Sequence, residues 1–224
     1  MKILNLYSGI GGNRKLWKDV EVTAVEYNEE IAAIYQEYFP GDKVVVGDAH
    51  EYLLKHYKEF DFIWSSPPCQ THSRTNYFLN AQGTVRYPDM KLWQEILFLS
   101  EFSKGKYVVE NVISYYPPLI QPQVIARHYF WSNFKIVPPA FKIETHVGRM
   151  CGKKEDLGVT QFELRKDRQK GLGFDLTRFD AKDKDQMLRN CVHPELGLYI
   201  LEQAQGIIRQ EKTNQLGLFN HDAA

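Results

Sequence analysis

Residues 2–12 read Lys-Ile-Leu-Asn-Leu-Tyr-Ser-Gly-Ile-Gly-Gly (KILNLYSGIGG), and the fold class turns on what this stretch is. Its first half is short, apolar and β-prone; its second half is a glycine run that ends at Asn13. A strand closed by glycines ahead of a helix lets the backbone approach a ligand, and a helix N-terminus there favours negative groups. A tight turn with no ligand has the same composition, so the loop alone does not decide. One lysine, a short apolar run and then glycines read as a first strand rather than as a secretion signal.

Outward from this stretch, VTAVEY (22–27), KVVVGD (43–48), FDFIWSS (60–66) and YVVENV (107–112) are further short β-prone runs. Between them lie NEEIAAIYQEYF (28–39), AHEYLLKHYKEF (49–60) and MKLWQEILFLSEF (90–102), which read as helices. The alternation predicts βαβ units around a mostly parallel sheet with helices on both faces, an α/β fold. HYFWSNFKIV (128–137) is expected to add strands that are antiparallel or at an edge. From about 141 to 187 the chain is charged, with 11 Lys and Arg against 9 Asp and Glu between 142 and 185, and lacks clear periodicity. It reads as an inserted subdomain or a long functional loop. Order returns in MLRNCVHPELGLYILEQAQGIIRQ (187–210), whose second half is an amphipathic helix.

With 224 residues, 43% hydrophobic and 25% charged, the composition is that of one globular domain. No stretch approaches the roughly 18 apolar residues that span a bilayer. Cys69, Cys151 and Cys191 are odd in number and widely spaced, which fits free thiols in a reducing, cytoplasmic compartment. Neither a CxxC pair nor HExxH is present, so no zinc or other metal is expected. The 28 basic and 28 acidic residues cancel, so any basic surface must be local.

The strand ends carry the chemistry. Glu26 closes the second strand, where a carboxylate can accept from both hydroxyls of a ribose. Asp48 closes the third, placed to accept from an adenine amino group. With the glycine loop, three strand ends meet at the carboxyl edge where α/β sheets bind ligands, which points to a nucleotide-type cofactor. Cys69 follows the fourth strand in Ser-Ser-Pro-Pro-Cys-Gln-Thr-His-Ser (65–73). Alone it reads as a small core residue or as a reactive thiol. Glu110 and Asn111 end the fifth strand beside it, and a thiol next to a carboxyl over a cofactor makes a covalent site.

Taken together these residues resemble the DNA cytosine-5 methyltransferases. LYSGIGG (6–12) is similar to the family's cofactor loop, VEY (25–27) to its ribose-binding acid and GDA (47–49) to its adenine-binding acid. SPPCQTHS (66–73) resembles the nucleophile motif, ENV (110–112) the glutamate motif, RHYFW (127–131) the arginine motif and RNCVHPELGLYI (189–200) the motif that closes the cofactor pocket. The resemblance implies a Rossmann-like class I fold dependent on S-adenosyl-L-methionine, with a small DNA-recognition insertion. It implies a catalytic body of residues 1–140 with 187–211, a recognition region of 141–186 and a tail of 212–224. Tyr7, Ser8, Gly9, Ile10, Gly11, Gly12, Glu26, Tyr27, Asp48, Ala49, Pro67 and Asn190 would surround the cofactor.

Cys69 would add to carbon 6 of a cytosine, Glu110 would give a proton to N3 and Arg127 would hold O2. The base would be flipped out of double-stranded DNA. Pro67 and Pro68 would aim the thiol. Gln70, Ser73, Arg74, Arg86, Asn111, Arg165 and Arg168 are the expected substrate contacts, with 75–90 as a mobile lid. The basic residues of the recognition region read either as DNA contacts or as a solvated face. The sequence departs from the family at Ile125, where a first arginine is usual, and at Arg189 and Cys191, where glycine and serine are usual. A transfer RNA substrate and a catalytically silent DNA-binding homologue are the competing readings. The small recognition region implies a short target sequence and suits a monomeric enzyme of a phage or of a restriction-modification pair. Near the C-terminus Gln215, Leu216, Leu218 and Phe219 (QLGLF) resemble the pentapeptide that docks on the bacterial sliding clamp, or else pack on the domain itself.

Overall fold

The computed structural model describes residues 1–139 and 160–207. Its strands are β1 (Lys2–Leu6), β2 (Glu21–Glu26), β3 (Lys43–Val46), β4 (Phe62–Ser65), β5 (Lys106–Val112), β6 (Gln123–Ile125) and β7 (His128–Ser132). They form one sheet in the order β3-β2-β1-β4-β5-β7-β6. Pairing is parallel from β3 to β5, and β7 runs antiparallel to both its neighbours. The mostly parallel α/β sheet is the expected one.

Alternate residues along each central strand feed two cores. Ile3, Phe62, Trp64 and Val108 pack with Trp17, Leu196 and Ile200 on one face. Leu4, Ile63 and Val109 pack with Leu53, Leu92, Ile96 and Leu99 on the other. Period-two side chains that are apolar both ways are what a sheet covered on both faces requires. Helix α1 (Glu29–Tyr38) follows β2, α2 (Ala49–His56) follows β3, and the short α3 (Asn76–Ala81) lies in the segment expected to be a lid. Helices α2 and α4 (Lys91–Phe102) build the second core, while α7 (Pro194–Ala204) builds the first. Each fully buried Leu, Ile or Phe contributes about 1.5–3 kcal/mol of transfer free energy.

Three expectations are corrected. No α-helix follows the glycine loop: residues 12–17 form turns, with the Lys15 N–H donating to Gly12 O (3.4 Å) and that of Trp17 to Arg14 O (3.0 Å). The side chains there are committed elsewhere, Asn13 to Asn5 and Arg14 to Asp42 and Trp17 O, so no helix N-terminus faces the loop. Strand character also stops at Ser132 rather than running to 137. Gln123 turns the chain there, donating to Ser132 Oγ and Phe134 O while accepting from the Ile136 N–H.

Thirdly, the aperiodic stretch holds a helix, α5 (Gln161–Leu172). Thr160 and Glu163 close a capping box at its start, and Gly173 at φ 69° ends it. Leu172, Phe174 and Leu176 then join Ile10, Ile34 and residues Met187 and Leu188 of α6 (Lys184–Arg189) in a third core. The second half of the region expected to recognise the target is thus packed into the body beside the glycine loop.

Candidate functional site

The carboxyl ends of β1, β2, β4 and β5 open into a cavity of about 690 Å³, within the range typical of small-molecule sites. Tyr7, Ser8, Gly9, Ile10, Gly12, Glu26, Tyr27, Asp48, Ala49, Pro67 and Asn190 line it, and so do Cys69, Glu110 and Arg127. The residues expected to hold a cofactor and those expected to do chemistry therefore share one space.

On the cofactor side the chain leaves β1 through a left-handed Tyr7 (φ 54°), which turns the phenol under the floor. Its hydroxyl donates to Glu95 Oε1 (2.5 Å); burial and that carboxylate's charge push the phenol pKa up. Glu95 is fully buried on α4 and also takes hydrogen bonds from His50 Nδ1 (3.0 Å) and Ser65 Oγ (2.6 Å). This hydrogen bond raises the His50 pKa. One carboxylate thus ties the ends of β1 and β4 to α2. The Gly9 N–H donates to Glu26 Oε2 and the Asn28 N–H to Oε1, both 3.0 Å, which fixes the Glu26 carboxylate and leaves lone pairs for a ligand. Asp48 caps α2, accepting from the Glu51 N–H (3.0 Å), and this bond holds its carboxyl below the usual range. Among the described residues the buried Ser8 hydroxyl has no partner.

Gly11 does not line the cavity, against expectation. It sits at φ 86°, and a Cβ there would lie 2.3 Å from the Phe39 ring and 2.9 Å from that of Tyr35, so this glycine serves the contact with α1. At Gly12 a Cβ would come 2.6 Å from Val192 O and 2.7 Å from Cys191 Cβ, which seats the loop on the 190–192 segment. Burial pushes the Cys191 thiol up to about 12, and the thiol donates to Met187 O.

On the chemical side, the N–H groups of His72 and Ser73 both donate to Cys69 O (3.0 Å), closing a turn behind the two prolines. Burial, and after it the Glu110 charge, pushes the Cys69 thiol up to about 11. Asn111 lines the cavity and is also a brace: 1% exposed, it donates from Nδ2 to Pro67 O (2.9 Å) and accepts from the Val112 N–H. It fastens the end of β5 to the prolines that carry the thiol. Glu110 is 7% exposed and its Oε1 lies 2.6 Å from His128 Nδ1. Arg127 is exposed at the two-residue turn between β6 and β7, beside a left-handed Ala126 (φ 54°).

Gln70, Ser73 and Arg74 lie on the same cavity, whereas Arg86 is exposed away from it, its carbonyl accepting from Tyr115 Oη. Arg168 lines the cavity as well. Only 1% exposed, its Nη1 pairs with Asp185, and Nε and Nη2 have no partner among the described residues. Arg165 is half-buried on the same helix. Cys151 and the Gln215, Leu216, Leu218 and Phe219 tail lie outside the described residues. No helix among the described residues is long and apolar enough to cross a membrane. Sequence reasoning missed His128 and Glu95. The signal for the first was a histidine next to Arg127 in a β-run, and for the second a lone carboxylate amid the apolar LWQEILFL.

Residues 1–114 match the family model described as C-5 cytosine-specific DNA methylase. A tRNA (cytosine(38)-C(5))-methyltransferase of Spodoptera frugiperda is 34% identical over 86 residues, 35% of this chain; the chain covers 26% of that protein. Among solved structures, the Entamoeba histolytica methyltransferase EhMeth superposes with a TM-score of 0.52 at 12% identity, over 94% of this chain and 99% of that one. A Spodoptera frugiperda DNMT2 mutant is 28% identical with a TM-score of 0.36, over 50% of this chain and 35% of that one. The Entamoeba likeness is one of fold, and with the strand order it gives the class I methyltransferase fold.

Proposed function

The chain belongs to the C-5 cytosine-specific DNA methylases, and on that premise we propose that it methylates carbon 5 of a cytosine flipped out of DNA. The observation that carries this reading is the single cavity in which Cys69, Glu110 and Arg127 face Ser8, Glu26 and Asp48. The residues fit S-adenosylmethionine as the methyl donor. Ser8 offers a buried hydroxyl without a partner, Glu26 offers unused lone pairs, and a Cβ added at Gly9 would meet nothing within 4 Å. Ser8, Glu26, Asp48 and Asn190 would hold it, and it would supply an electrophilic methyl group on a sulfonium.

What the protein contributes is attack, a proton and charge. Carbon 5 of cytosine is a poor nucleophile while the ring is aromatic. The Cys69 sulfur bonds to carbon 6, a proton passes from the Glu110 carboxyl to N3, and carbon 5 becomes enamine-like. Arg127, exposed at its turn, can swing its guanidinium onto O2 as negative charge develops. After methylation the carbon 5 proton is lost, the carbon 6–sulfur bond breaks, and Cys69 is regenerated. The buried thiol holds its proton at neutral pH, so attack sends that proton to solvent as the base arrives. The carbon 5 proton later leaves to solvent too, the N3 proton returns to Glu110, and Cys69 takes a proton back, for a net release of one.

A transfer RNA substrate is the second reading, favoured by the 34% identity to the insect tRNA enzyme. Incubating the full chain with tritiated S-adenosylmethionine and either duplex DNA or transfer RNA tests both. Label on DNA cytosine that disappears in Cys69→Ser is expected; label on transfer RNA alone sinks the DNA reading. Label on neither, together with no adduct to 5-fluorocytosine DNA, points to the silent homologue.

A further inference from the structure

We infer that His128 is a positioning residue that keeps a shared proton on Glu110, so that the two act as one proton-holding pair for N3 of the target base. This rests on the cytosine-5 reading and goes beyond it, because that reading gives no role to the histidine that follows Arg127 in RHYFW.

The sheet register sets the pair. Glu110 of β5 lies opposite Phe130 of β7, and His128 is two residues from Phe130 on the same face, a diagonal neighbour. Its ring lies nearly parallel to that of Phe130, at 14° with centroids 6.2 Å apart, which holds the imidazole edge toward β5. The result is the 2.6 Å contact between His128 Nδ1 and Glu110 Oε1. Among the described residues no other side chain hydrogen-bonds the Glu110 carboxyl, so Oε2 is left for a ligand. Both residues line the cavity that also holds Cys69 and Arg127.

The chemistry explains what the pair adds. An ionised Glu110 cannot give N3 a proton, and its charge opposes ionisation of Cys69. An imidazole at 2.6 Å lets one proton be shared between Nδ1 and the carboxyl. The pair then has a proton to give. As the sulfur–carbon 6 bond forms, that proton moves to N3, leaving a neutral imidazole and a carboxylate. As the bond breaks, the same proton returns, so none is consumed over the cycle. The charged groups facing the pair are Cys69 from the proline loop and Arg127 from the adjoining turn. They act in opposite directions, the thiolate favouring a protonated pair until its charge passes into the ring, and the Arg127 cation favouring release of the proton as it takes up the charge at O2.

The test uses release of tritium from carbon 5 of labelled cytosine in bulk genomic DNA or transfer RNA, without cofactor, from pH 6 to 9. This exchange needs attack and the N3 proton but no methyl transfer. His128→Gln keeps a hydrogen bond and removes the titration; His128→Phe keeps the ring stack. Both are expected to slow release about tenfold at pH 7, a fraction of the roughly 10²–10⁴ that general acids provide. Both are also expected to change the pH profile of release, with calorimetric binding of S-adenosylhomocysteine unchanged. A His128→Gln enzyme with the wild-type rate and pH profile overturns the pair. So does a loss that runs in parallel with weakened S-adenosylhomocysteine binding and a lowered Tm, which marks a packing role. If the wild type binds S-adenosylhomocysteine yet releases tritium from neither nucleic acid, the cytosine reading falls and the pair with it.

Discussion

Cys69 feels two influences that pull its thiol the same way, burial first and the Glu110 carboxylate second, and together they hold it at about 11. At pH 8 only about one thiol in a thousand is then ionised, and reactivity climbs about tenfold per pH unit. Glu110→Gln removes the charge but not the burial. It is expected to speed iodoacetamide labelling of Cys69 several-fold at pH 8, read by peptide mapping, while abolishing methyl transfer. Unchanged labelling would mean that burial alone sets the thiol. The thiol, the carboxyl and the arginine were legible because their local sequences are distinctive. Glu95 was not, since nothing along α4 says that Tyr7, His50 and Ser65 will converge on it from three other elements. At Asn111 and Arg168 residue type suggests a contact with substrate, and only the fold shows that each is also tied to its own chain, through Pro67 and Asp185.

At the scale of elements, the central strands could be read because they are buried on both faces and therefore nearly continuously apolar and β-prone. Helix α5 escaped a search for periodicity because its surface is almost wholly polar; its signals are the Thr160–Glu163 box and Gly173. Thr160→Val is expected to cost about 1 kcal/mol, seen as a lower Tm with the cavity residues untouched. The glycine loop is less forgiving. Gly11→Ala forces an alanine to φ 86° against Phe39, and Gly12→Ala drives a methyl into Val192 O. Each is expected to lower Tm, and Gly12→Ala alone is expected to weaken S-adenosylhomocysteine binding as well, because only Gly12 lines the cavity. Equal effects on binding would remove that distinction. The strand β6 was hidden for want of length, three residues recruited by pairing with β7.

For the whole molecule, Cys69 and Cys191 are among the groups that set how the fold meets alkali, beside tyrosines such as Tyr7 and Tyr35 that burial also pushes up. The two thiol pKa values rise from about 9 to about 11 and about 12 on folding. The folded state is thus the form that keeps its protons. This contribution is fully present below pH 9 and is lost as pH rises through the folded values, by up to about 1.4 kcal/mol per unit for each group. Denaturant titrations from pH 8 to 11 should show stability falling above pH 9, with a shallower fall in Cys191→Ala. The same slope in that variant would assign the loss to other groups. The broad class, a sheet whose carboxyl edge gathers the site, was readable from strand ends. The way the 160–189 segment folds back on Ile10 was not, because it depends on packing between residues far apart in the chain.

The contact of Gly12 with Val192, repeated where a Cβ on Gly197 would sit 2.3 Å from Asn13 O, joins the first and last parts of the described chain with no room for a methyl between them. A ribosome releases the first of those parts about 180 residues before the second. The nascent chain therefore holds its first strand and loop without their backing until residues near 197 have emerged, and contacts of such separation form slowly. Assembly of the pocket, and with it any protection of the loop from proteases, thereby waits for residues near 197 rather than following the emergence of the loop itself.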